Sequence, residues 1–416
     1  MSETTWYKTD NVAKVFLASH NRRDTRTMRE SVTLTEQVNP ELLQQALLNA
    51  IEIRPQFQVR IRRGFFWHYI ETTDALPQVA EETGRPCPQL YGSDYNGVLH
   101  YRVSYFGRRI NLDMFHALSD GTGMFEFFDV IVAEYLKLAH PDEVGDVKIG
   151  SGASDGDLTQ NSYSQYYGNK GLKRTPPIKA YHPVGRKLPY DQLQFMEITM
   201  DFMSVRSLAK EAGVSLTGYI GALMVSSMYH DMPALMRKQP ITISVPVNLR
   251  QYFPSETSRN FFNSINIRCH LSGEEDIATI GRHIDLDVKA ALKPENIAEQ
   301  MDSYQTLERL LFIRMVPLMI KQPVVRAFSK LENKTVSFVL SNMGEIKPDE
   351  KLRPYIESYS AFCSHSEMFF TVFTYNGKLK LGMTSAYNDT RFIKNFVRKL
   401  TAEDIEVTVN ATEVIR

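Results

Sequence analysis

Alternation of apolar and polar residues dominates the first 140 residues, and this pattern is typical of strands that bury one face. Strands are predicted over 31–35, 57–61, 100–105 and 109–115. Asn39 and Pro40 supply an N-cap and a first-turn proline for an amphipathic helix over 41–51. A very apolar helix is predicted over 124–138. The first part of the chain is therefore predicted to be a mixed α/β unit.

The same mixture of elements returns after residue 194. Strands are predicted over 195–200, 241–247, 264–271, 336–340, 368–375 and 378–384. Asn376-Gly377, between the last two, is the strongest short hairpin signal in the chain. Helices are predicted from 204 to a break at Gly213, from a cap at Ser215 to 229, and over 390–400. A second α/β unit follows from this order.

Residues 141–193 differ from both units, because Gly, Ser, Asp, Pro and Tyr dominate and hydrophobic periodicity disappears. We expect a linker or crossover there, between an N-terminal subdomain over 1–140 and a C-terminal subdomain over 194–416. The most apolar segment, 307–328, is interrupted by charged residues and prolines. It is predicted to be a kinked helix pair on the core rather than a membrane span.

Composition narrows the class of protein further. Hydrophobic residues make up 43% of the chain and charged residues 23%, which is a globular composition. The formal net charge is +0, so charge gives no reason to expect nucleic acid or an acidic membrane surface as a partner. The 3 cysteines form no CxxC pair, which suits a reducing cytosol and argues against a zinc site. No secretory signal is visible, and a cytoplasmic protein is expected.

One cluster of residues could carry chemistry. The sequence has no GxGxxG, GxxxxGK[ST] or HExxH motif. It does contain His116-Ala-Leu-Ser-Asp120-Gly121, which places a titratable histidine at the exit of a predicted strand, before an apolar helix. Such a position on a rigid scaffold is common for catalytic groups. The plainer alternative is a His–Asp pair that holds a loop, or a histidine buried in the core.

This cluster resembles the HxxxDG signature of the chloramphenicol acetyltransferase-like superfamily, which includes CoA-dependent alcohol acyltransferases and the condensation domains of nonribosomal peptide synthetases. Other segments resemble the family in order and spacing: Gly213-Val-Ser-Leu-Thr217, Pro246-Val-Asn248-Leu-Arg250 with the later Asn260-Phe261, and Ser341-Asn342-Met-Gly344. The resemblance covers essentially the whole chain and is closest to bacterial alcohol acetyltransferases. Many relatives have a second histidine where this chain has Phe115, and this difference leans against a condensation domain.

The resemblance implies a role for each matched residue. His116 would be the general base that takes a proton from the acceptor, which then attacks an acyl thioester. Asp120 would not be its triad partner but would pair with a distant arginine, for which Arg250 is the candidate. Gly121 would leave room for pantetheine. The weaker candidates for contact with substrate or CoA are Ser341, Asn342 and Asn260. For Ser341 and Asn342, a role as side-chain caps at the end of a strand is an equal alternative. For Asn260, the alternative is that it anchors a loop.

The fold implied is α/β (α+β), with two chloramphenicol acetyltransferase-like subdomains, each a mixed sheet flanked by helices, and an active-site tunnel between them. The activity implied is transfer of an acetyl or other short acyl group from acyl-CoA, as co-substrate, to an alcohol hydroxyl, with no metal and no redox cofactor. The partners expected are acyl-CoA and a small alcohol or amine acceptor, and the protein is expected to be a monomer. Two alternatives stay open: transfer from the pantetheine thioester of an acyl carrier protein, and a catalytically silent ligand-binding or assembly module.

Overall fold

The structure is a computed structural model that describes residues 4–147, 154–166, 177–273, 275–299, 301 and 315–412. These residues form three β-sheets with helices packed on them. The first half holds β1 (Trp6–Lys8), α1 (Asn11–Ser19), β2 (Thr27–Leu34), α2 (Pro40–Ile53), β3 (Val59–Arg63), β4 (His68–Thr72), β5 (Val79–Glu81), β6 (Tyr101–Phe106), β7 (Arg109–Phe115) and α3 (Gly121–Ala139). The connection holds the short helices α4 (Pro141–Val144), α5 (Asp155–Thr159) and α6 (Ser162–Gln165).

The second half continues this mixture of strands and helices. Its elements are β8 (Gln194–Asp201), α7 (Phe202–Glu211), α8 (Leu216–His230), β9 (Ile241–Asn248), β10 (Phe262–Cys269), α9 (Ile277–Ala291), α10 (Leu318–Asn333), β11 (Phe338–Glu345), β12 (Ile356–Cys363), β13 (Met368–Tyr375), β14 (Lys378–Ser385), α11 (Arg391–Thr401) and β15 (Val407–Ala411). The predicted α/β fold is confirmed by this order of elements.

Local sequence explains where several elements begin and end. The Asn39 side chain accepts hydrogen bonds from two backbone N–H groups at the start of α2, and Ser215 Oγ accepts one at the start of α8. Gly213 ends α7 in the left-handed region, with φ +69°. Asn376 and Gly377 have φ of +46° and +71°, the backbone that a tight type I′ hairpin turn requires. These predicted boundaries are confirmed to within a few residues.

The five-stranded sheet carries the predicted catalytic segment. Its order is β12-β2-β7-β6-β5, with every neighbouring pair antiparallel except β5 and β6. Helices α2 and α3 supply the apolar core on one face, where Leu47, Phe127 and Phe128 are fully buried. Strand β7 occupies the centre of this sheet and leads directly to His116, so the candidate base follows a strand that is paired on both sides.

The seven-stranded sheet has the order β10-β9-β11-β13-β14-β8-β15. Strand β11 runs parallel to both β9 and β13, and the remaining pairs are antiparallel. Helix α8 is buried along nearly its whole length, and its Gly221 lies against Ile243 of β9 and Leu340 of β11. A bulky side chain at this glycine would push the helix off the sheet, so the small residue sets the close packing.

Strand β12 crosses from one half of the chain to the other. It follows β11 in sequence but leaves the seven-stranded sheet and pairs antiparallel with β2, with Ala361 opposite Glu30. The next strand, β13, returns to the seven-stranded sheet between β11 and β14. The sheet of the first half is therefore completed by a strand from residues 356–363, which the sequence did not predict.

The connection over 141–193 is more ordered than a plain linker in its described parts. Tyr163 of α6 is buried, and its hydroxyl donates to the carbonyl oxygen of Phe262 at 2.5 Å. Of the predicted kinked helix pair, 302–314 lie outside the described residues, and α10 is one helix with Pro323 inside it. No helix in the described ranges has the length and apolar character needed to cross a membrane.

Candidate active site

A cavity of about 720 Å³ is lined by both halves of the chain. The first half contributes residues of α1, β2 and α3 together with His116, and the second half contributes residues of β9, β10, β11, β12 and α10. Five of the predicted site residues line this cavity: His116, Asp120, Gly121, Ser341 and Asn342. Segments far apart in the sequence therefore meet at one place.

The tautomer of His116 is set by two hydrogen bonds. Its Nδ1 lies 2.9 Å from the Ser119 carbonyl oxygen and 3.1 Å from Oδ1 of Asn260. Both partners accept hydrogen bonds, so Nδ1 carries the proton. Among the described residues Nε2 has no hydrogen-bond partner, and its lone pair is therefore available to a molecule in the cavity.

The surroundings of His116 keep it neutral. The rings of Phe16 and Phe262 flank the imidazole at centroid distances of 4.6 and 5.6 Å. Burial lowers the pKa of His116 below its usual range, and the weaker influence of the Asp120 charge acts in the opposite direction. A neutral imidazole with Nε2 open to the cavity can accept a proton from a bound hydroxyl at neutral pH.

Asn260 connects His116 to a buried carboxyl group. Its Nδ2 donates to Oδ2 of Asp10 at 3.2 Å, which directs its Oδ1 to the imidazole. Both Asp10 and Asn260 are only 1% exposed, and neither lines the cavity. The side chain of Asn260, expected as a weaker candidate for contact with substrate or CoA, is buried behind His116 and bonded to the imidazole.

Asp10 is a further residue of this site that the sequence did not predict. Its Oδ1 accepts the Ala13 N–H at 2.7 Å and caps α1, and burial raises the pKa of its carboxyl group. An aspartate followed by apolar residues at Val12, Ala13 and Phe16 is the ordinary pattern of a helix start, so the cap could have been predicted. Its link to Asn260 depends on a contact across 250 residues and has no local signal.

Asp120 is held by three donors. Its Oδ1 accepts the Gly123 N–H at 3.1 Å and so caps α3, while its Oδ2 accepts from Arg250 Nη1 at 2.7 Å and from the Phe261 N–H at 2.8 Å. The Arg250 guanidinium also donates to two backbone carbonyls of the loop before β10. The ion pair expected between these two residues is present, and it ties the start of α3 to the second half of the chain.

The two glycines at the start of α3 have different environments. A Cβ atom at Gly121 would meet no protein atom within 4 Å, and this residue lines the cavity. A Cβ atom at Gly123 would clash with the Ser258 carbonyl oxygen and with Ser119 Oγ. Gly123 is therefore required by packing, whereas the space at Gly121 is open toward whatever occupies the cavity.

Ser341 and Asn342 lie in the middle of β11, beside an irregularity in its pairing with β13. Asn342 Nδ2 donates to Thr217 Oγ1 at 2.9 Å, and its Oδ1 accepts the Gly344 N–H at 2.8 Å. The strand continues to Glu345, so these bonds hold Asn342 within β11 rather than capping a strand end as considered from the sequence. Ser341 lines the same wall and is the more available of the two for a ligand.

Other nucleophiles are poorly placed. Cys363 lines the cavity, but burial raises the pKa of its thiol to about 12, so it stays protonated. Ser154 stands at the centre of a Gly-x-Ser-x-Gly sequence, yet it is exposed and caps the short helix α5. Within the described ranges, no group of three His, Cys, Asp or Glu side chains is placed to hold a metal ion.

Several solved structures are similar to this chain over almost its whole length. The crystal structure of Fusarium sporotrichioides TRI101 complexed with coenzyme A and T-2 gives a TM-score of 0.69 at 10% identity, covering 97% of this chain and 99% of that chain. Polyketide synthase associated protein 5 from Mycobacterium tuberculosis gives 0.64 at 14% identity, covering 95% and 96%. The first condensation domain of the calcium-dependent antibiotic synthetase gives 0.64 at 13% identity, covering 97% and 99%.

No protein-family model and no curated protein matches the sequence. The structural matches nevertheless share the two-subdomain architecture, so the chain has the fold of the CoA-dependent acyltransferases and condensation domains. The fold predicted from the HxxxDG resemblance is confirmed. At these identities the likeness is one of fold and does not by itself assign an activity.

Proposed function

We propose that this protein is an acyltransferase that moves an acyl group from a CoA thioester to a hydroxyl group of a small acceptor, with His116 as the general base. The observation that carries the proposal is the fixed tautomer of His116, with Nδ1–H bound by Ser119 and Asn260 and Nε2 open to a cavity shared by both halves. The CoA in the similar TRI101 structure, and the C8-CoA in a similar starter condensation domain, support the choice of donor.

The reaction needs one proton to move twice. Nε2 of His116 takes the proton from the acceptor hydroxyl as its oxygen attacks the thioester carbonyl carbon, which forms the new C–O bond. The tetrahedral intermediate collapses with cleavage of the C–S bond. The imidazolium then returns the proton from Nε2 to the leaving sulfur, so that the products are the ester and the CoA thiol. No covalent acyl-enzyme forms, which agrees with the absence of an ionised thiol at Cys363.

The remaining site residues hold this geometry. Asp120 and Arg250 fix the loop that follows β7, and through it the Ser119 carbonyl that orients His116. The open space at Gly121 suits passage of the pantetheine arm. Ser341 is our candidate donor to the thioester or to the oxyanion, because it lines the cavity on the opposite half.

We further propose acetyl or another short acyl group as the cargo and an alcohol as the acceptor. The sequence resemblance to alcohol acetyltransferases supports this choice, as does the likeness to a structure named trichothecene 15-O-acetyltransferase, with a TM-score of 0.64 at 11% identity. A carrier-protein thioester is the competing donor, because condensation domains are equally similar in fold.

The test is release of thiol from acetyl-CoA over a panel of alcohols and amines, with the wild type, His116→Ala and His283→Ala compared. His283 is exposed on α9 and serves as the matched histidine control. We expect release that requires an acceptor, persists in the control and is lost in His116→Ala. Equal release by His116→Ala would refute the proposed base. No release, without a rise in melting temperature on adding CoA, would favour a carrier-protein donor or a silent binding module.

A further inference from the structure

Glu30 is a carboxyl group on an otherwise apolar face. It lies between Met28 and Val32 on the side of β2 that meets Leu112 of β7 and Ala361 of β12. Its side chain lines the cavity, although the residue is only 6% exposed. A position of this kind in the strand pattern is normally filled by an aliphatic residue, because burying a carboxyl group is costly.

The Glu30 carboxyl group is incompletely satisfied by the described part of the chain. Its Oε2 is buried and has no hydrogen-bond partner among the described residues. Burial raises the pKa of Glu30 well above its usual range, and the Asp129 carboxylate raises it further, with no cation acting against them. The neighbouring Arg29 does not help, because it projects from the other face of β2 and is bound by Asp113 and Glu82.

Two more acidic residues extend along α3 next to Glu30. Burial, with repulsion from nearby carboxylates, raises the pKa of Asp129 to about 6. Burial also raises the pKa of Glu126, which lines the cavity. Repulsion acts between Glu30 and Asp129 and between Asp129 and Glu126, while Arg54 and Arg250 partly offset it at Glu126.

The opposite wall has a different chemistry. Strands β9, β10 and β11 present uncharged amides and hydroxyls to the cavity: Ser244, Asn248, Asn263, Ser264, Asn266 and Ser341. Such groups can bind the amides of a pantetheine arm, whereas the carboxyl groups of the acidic wall repel the anionic end of such a donor. The cavity is therefore polarised, with a hydrogen-bonding side and a side where a cation is stabilised.

We propose that Glu30 is the recognition site for a protonated amine on the acceptor, so that the acceptor is an amino alcohol whose hydroxyl reacts at His116 and whose ammonium group is bound at Glu30. This inference rests on the proposed acyl transfer. The ammonium donates the hydrogen bond that the carboxylate lacks and offsets its charge, and Asp129 and Glu126 add attraction at longer range. The reacting hydroxyl and the ammonium belong to one molecule, which orients the hydroxyl toward Nε2.

The test compares acceptors that differ only in charge. ω-Dimethylamino alcohols of increasing chain length are paired with the isosteric ω-isopropyl alcohols, in which C–H replaces N–H⁺. The tertiary amine forms no stable amide, so thiol release reports the hydroxyl alone. We expect kcat/KM for the amine to exceed that for its isostere by roughly 10- to 150-fold at the best chain length, the range for a hydrogen bond to a charged group.

Variants assign this preference to Glu30. Glu30→Gln keeps the size of the side chain and should remove the preference while leaving turnover of the isopropyl alcohols within a few-fold. Glu81→Gln, an exposed glutamate on β5 of the same sheet, is the matched control and should keep the preference. Glu30→Leu should melt no lower than the wild type, because it removes a buried carboxyl group that lacks a hydrogen-bond partner at Oε2; a marked loss of stability would indicate a structural carboxyl and overturn the inference.

The outcome stays separable from that of acyl transfer itself. Turnover without preference for the amine, or a preference that survives Glu30→Gln, overturns the amine site and leaves the proposed function standing. If no acceptor is acylated, calorimetric titration of wild type and Glu30→Gln with both members of a pair still tests whether Glu30 binds the amine. Tighter binding of the amine that depends on Glu30 supports the site, and equal binding of the pair overturns it.

Discussion

The hydrogen-bonded series from Asp10 through Asn260 to His116 predicts how an exchange of two side chains changes the pH dependence of catalysis. In the double variant Asp10→Asn/Asn260→Asp the amide and the carboxylate exchange places. Asparagine is as good an N-cap as aspartate, so α1 keeps its cap. The negative charge, however, moves from beyond the amide to direct contact with Nδ1–H of the imidazole, at the 3.1 Å now spanned by the amide oxygen.

The size of the shift follows from these distances. At an effective dielectric of about 20, a charge at 3.1 Å interacts with the imidazolium by about 5 kcal/mol, and one beyond the amide, at about 7 to 8 Å, by about 2 kcal/mol. The difference of about 3 kcal/mol corresponds to about two pKa units, because one unit is about 1.4 kcal/mol. We expect an increase of about one to two units in the pKa of His116 after screening.

The assay is kcat/KM for thiol release as a function of pH. The base must be neutral to act, so a higher pKa of His116 moves the acid limb to higher pH and lowers the rate at pH 6 by roughly 10-fold or more. Rates on the alkaline plateau should stay within a few-fold. Asn260→Asp alone places two carboxylates together and should be clearly less stable than the exchanged pair. Asp10→Asn alone should not move the acid limb of the pH profile to higher pH.

An acid limb that stays in place in a stably folded double variant would refute the role of Asn260. It would mean that Nδ1 of His116 is held by the Ser119 carbonyl alone in the working enzyme. Loss of activity at every pH would instead point to a displaced imidazole, which the melting temperature and the binding of CoA would reveal.

Three further predictions concern stability. Asp120→Ala should lower the free energy of unfolding by roughly 3–5 kcal/mol in chemical denaturation, because it leaves a mostly buried Arg250 unpaired and uncaps α3; an unchanged midpoint would contradict this. Gly123→Ala should lower the melting temperature, whereas Gly121→Ala should leave it nearly unchanged and raise KM for CoA. A lower melting temperature for Gly121→Ala than for Gly123→Ala would contradict the packing described for these two glycines. Burial holds the pKa of His100 at about 4 in the folded protein against 6.5 as the usual value, so the unfolded chain takes up the proton first and stability falls as pH drops from 6.5 to 4. His100→Gln should remove about one proton from that slope, as measured by denaturation at several pH values.

The position of the loop from His116 to Asp120 could be predicted from the sequence because its geometry is local. His116 follows an alternating strand, and Asp120 stands where a helix must be capped, so both positions can be inferred from neighbouring residues. The partner Arg250 was named from the family resemblance rather than from spacing, and the structure places it 2.7 Å from Asp120. Secondary structure with strong caps and turns was predicted for the same reason.

Residues that depend on distant contacts were missed. Asn260 gave no local sign that it would reach both His116 and Asp10. Glu30 was overlooked because the strand was predicted to begin at residue 31, whereas β2 begins at Thr27 and buries Glu30 among apolar neighbours. Alternation indicates that a stretch is a strand, but it does not tell which sheet the strand will join, and this is why β12 was not foreseen.

The pairing of β12 with β2 has a consequence for how the protein can be made. During synthesis one edge of β2 stays unpaired until residues 356–363 leave the ribosome. The sheet of the first half, which lacks only β12, therefore carries an open strand edge for most of translation. The nascent chain should therefore depend on chaperones more than its length suggests.

The same pairing limits how the gene can be divided. A fragment that ends in the connection lacks Ala361 and Cys363, which form part of the cavity wall, and the complementary fragment carries β12 without its partner. Neither piece contains a complete site. Two such fragments produced together would regain the cavity only if β12 of one inserted beside β2 of the other, in the manner of a donated strand.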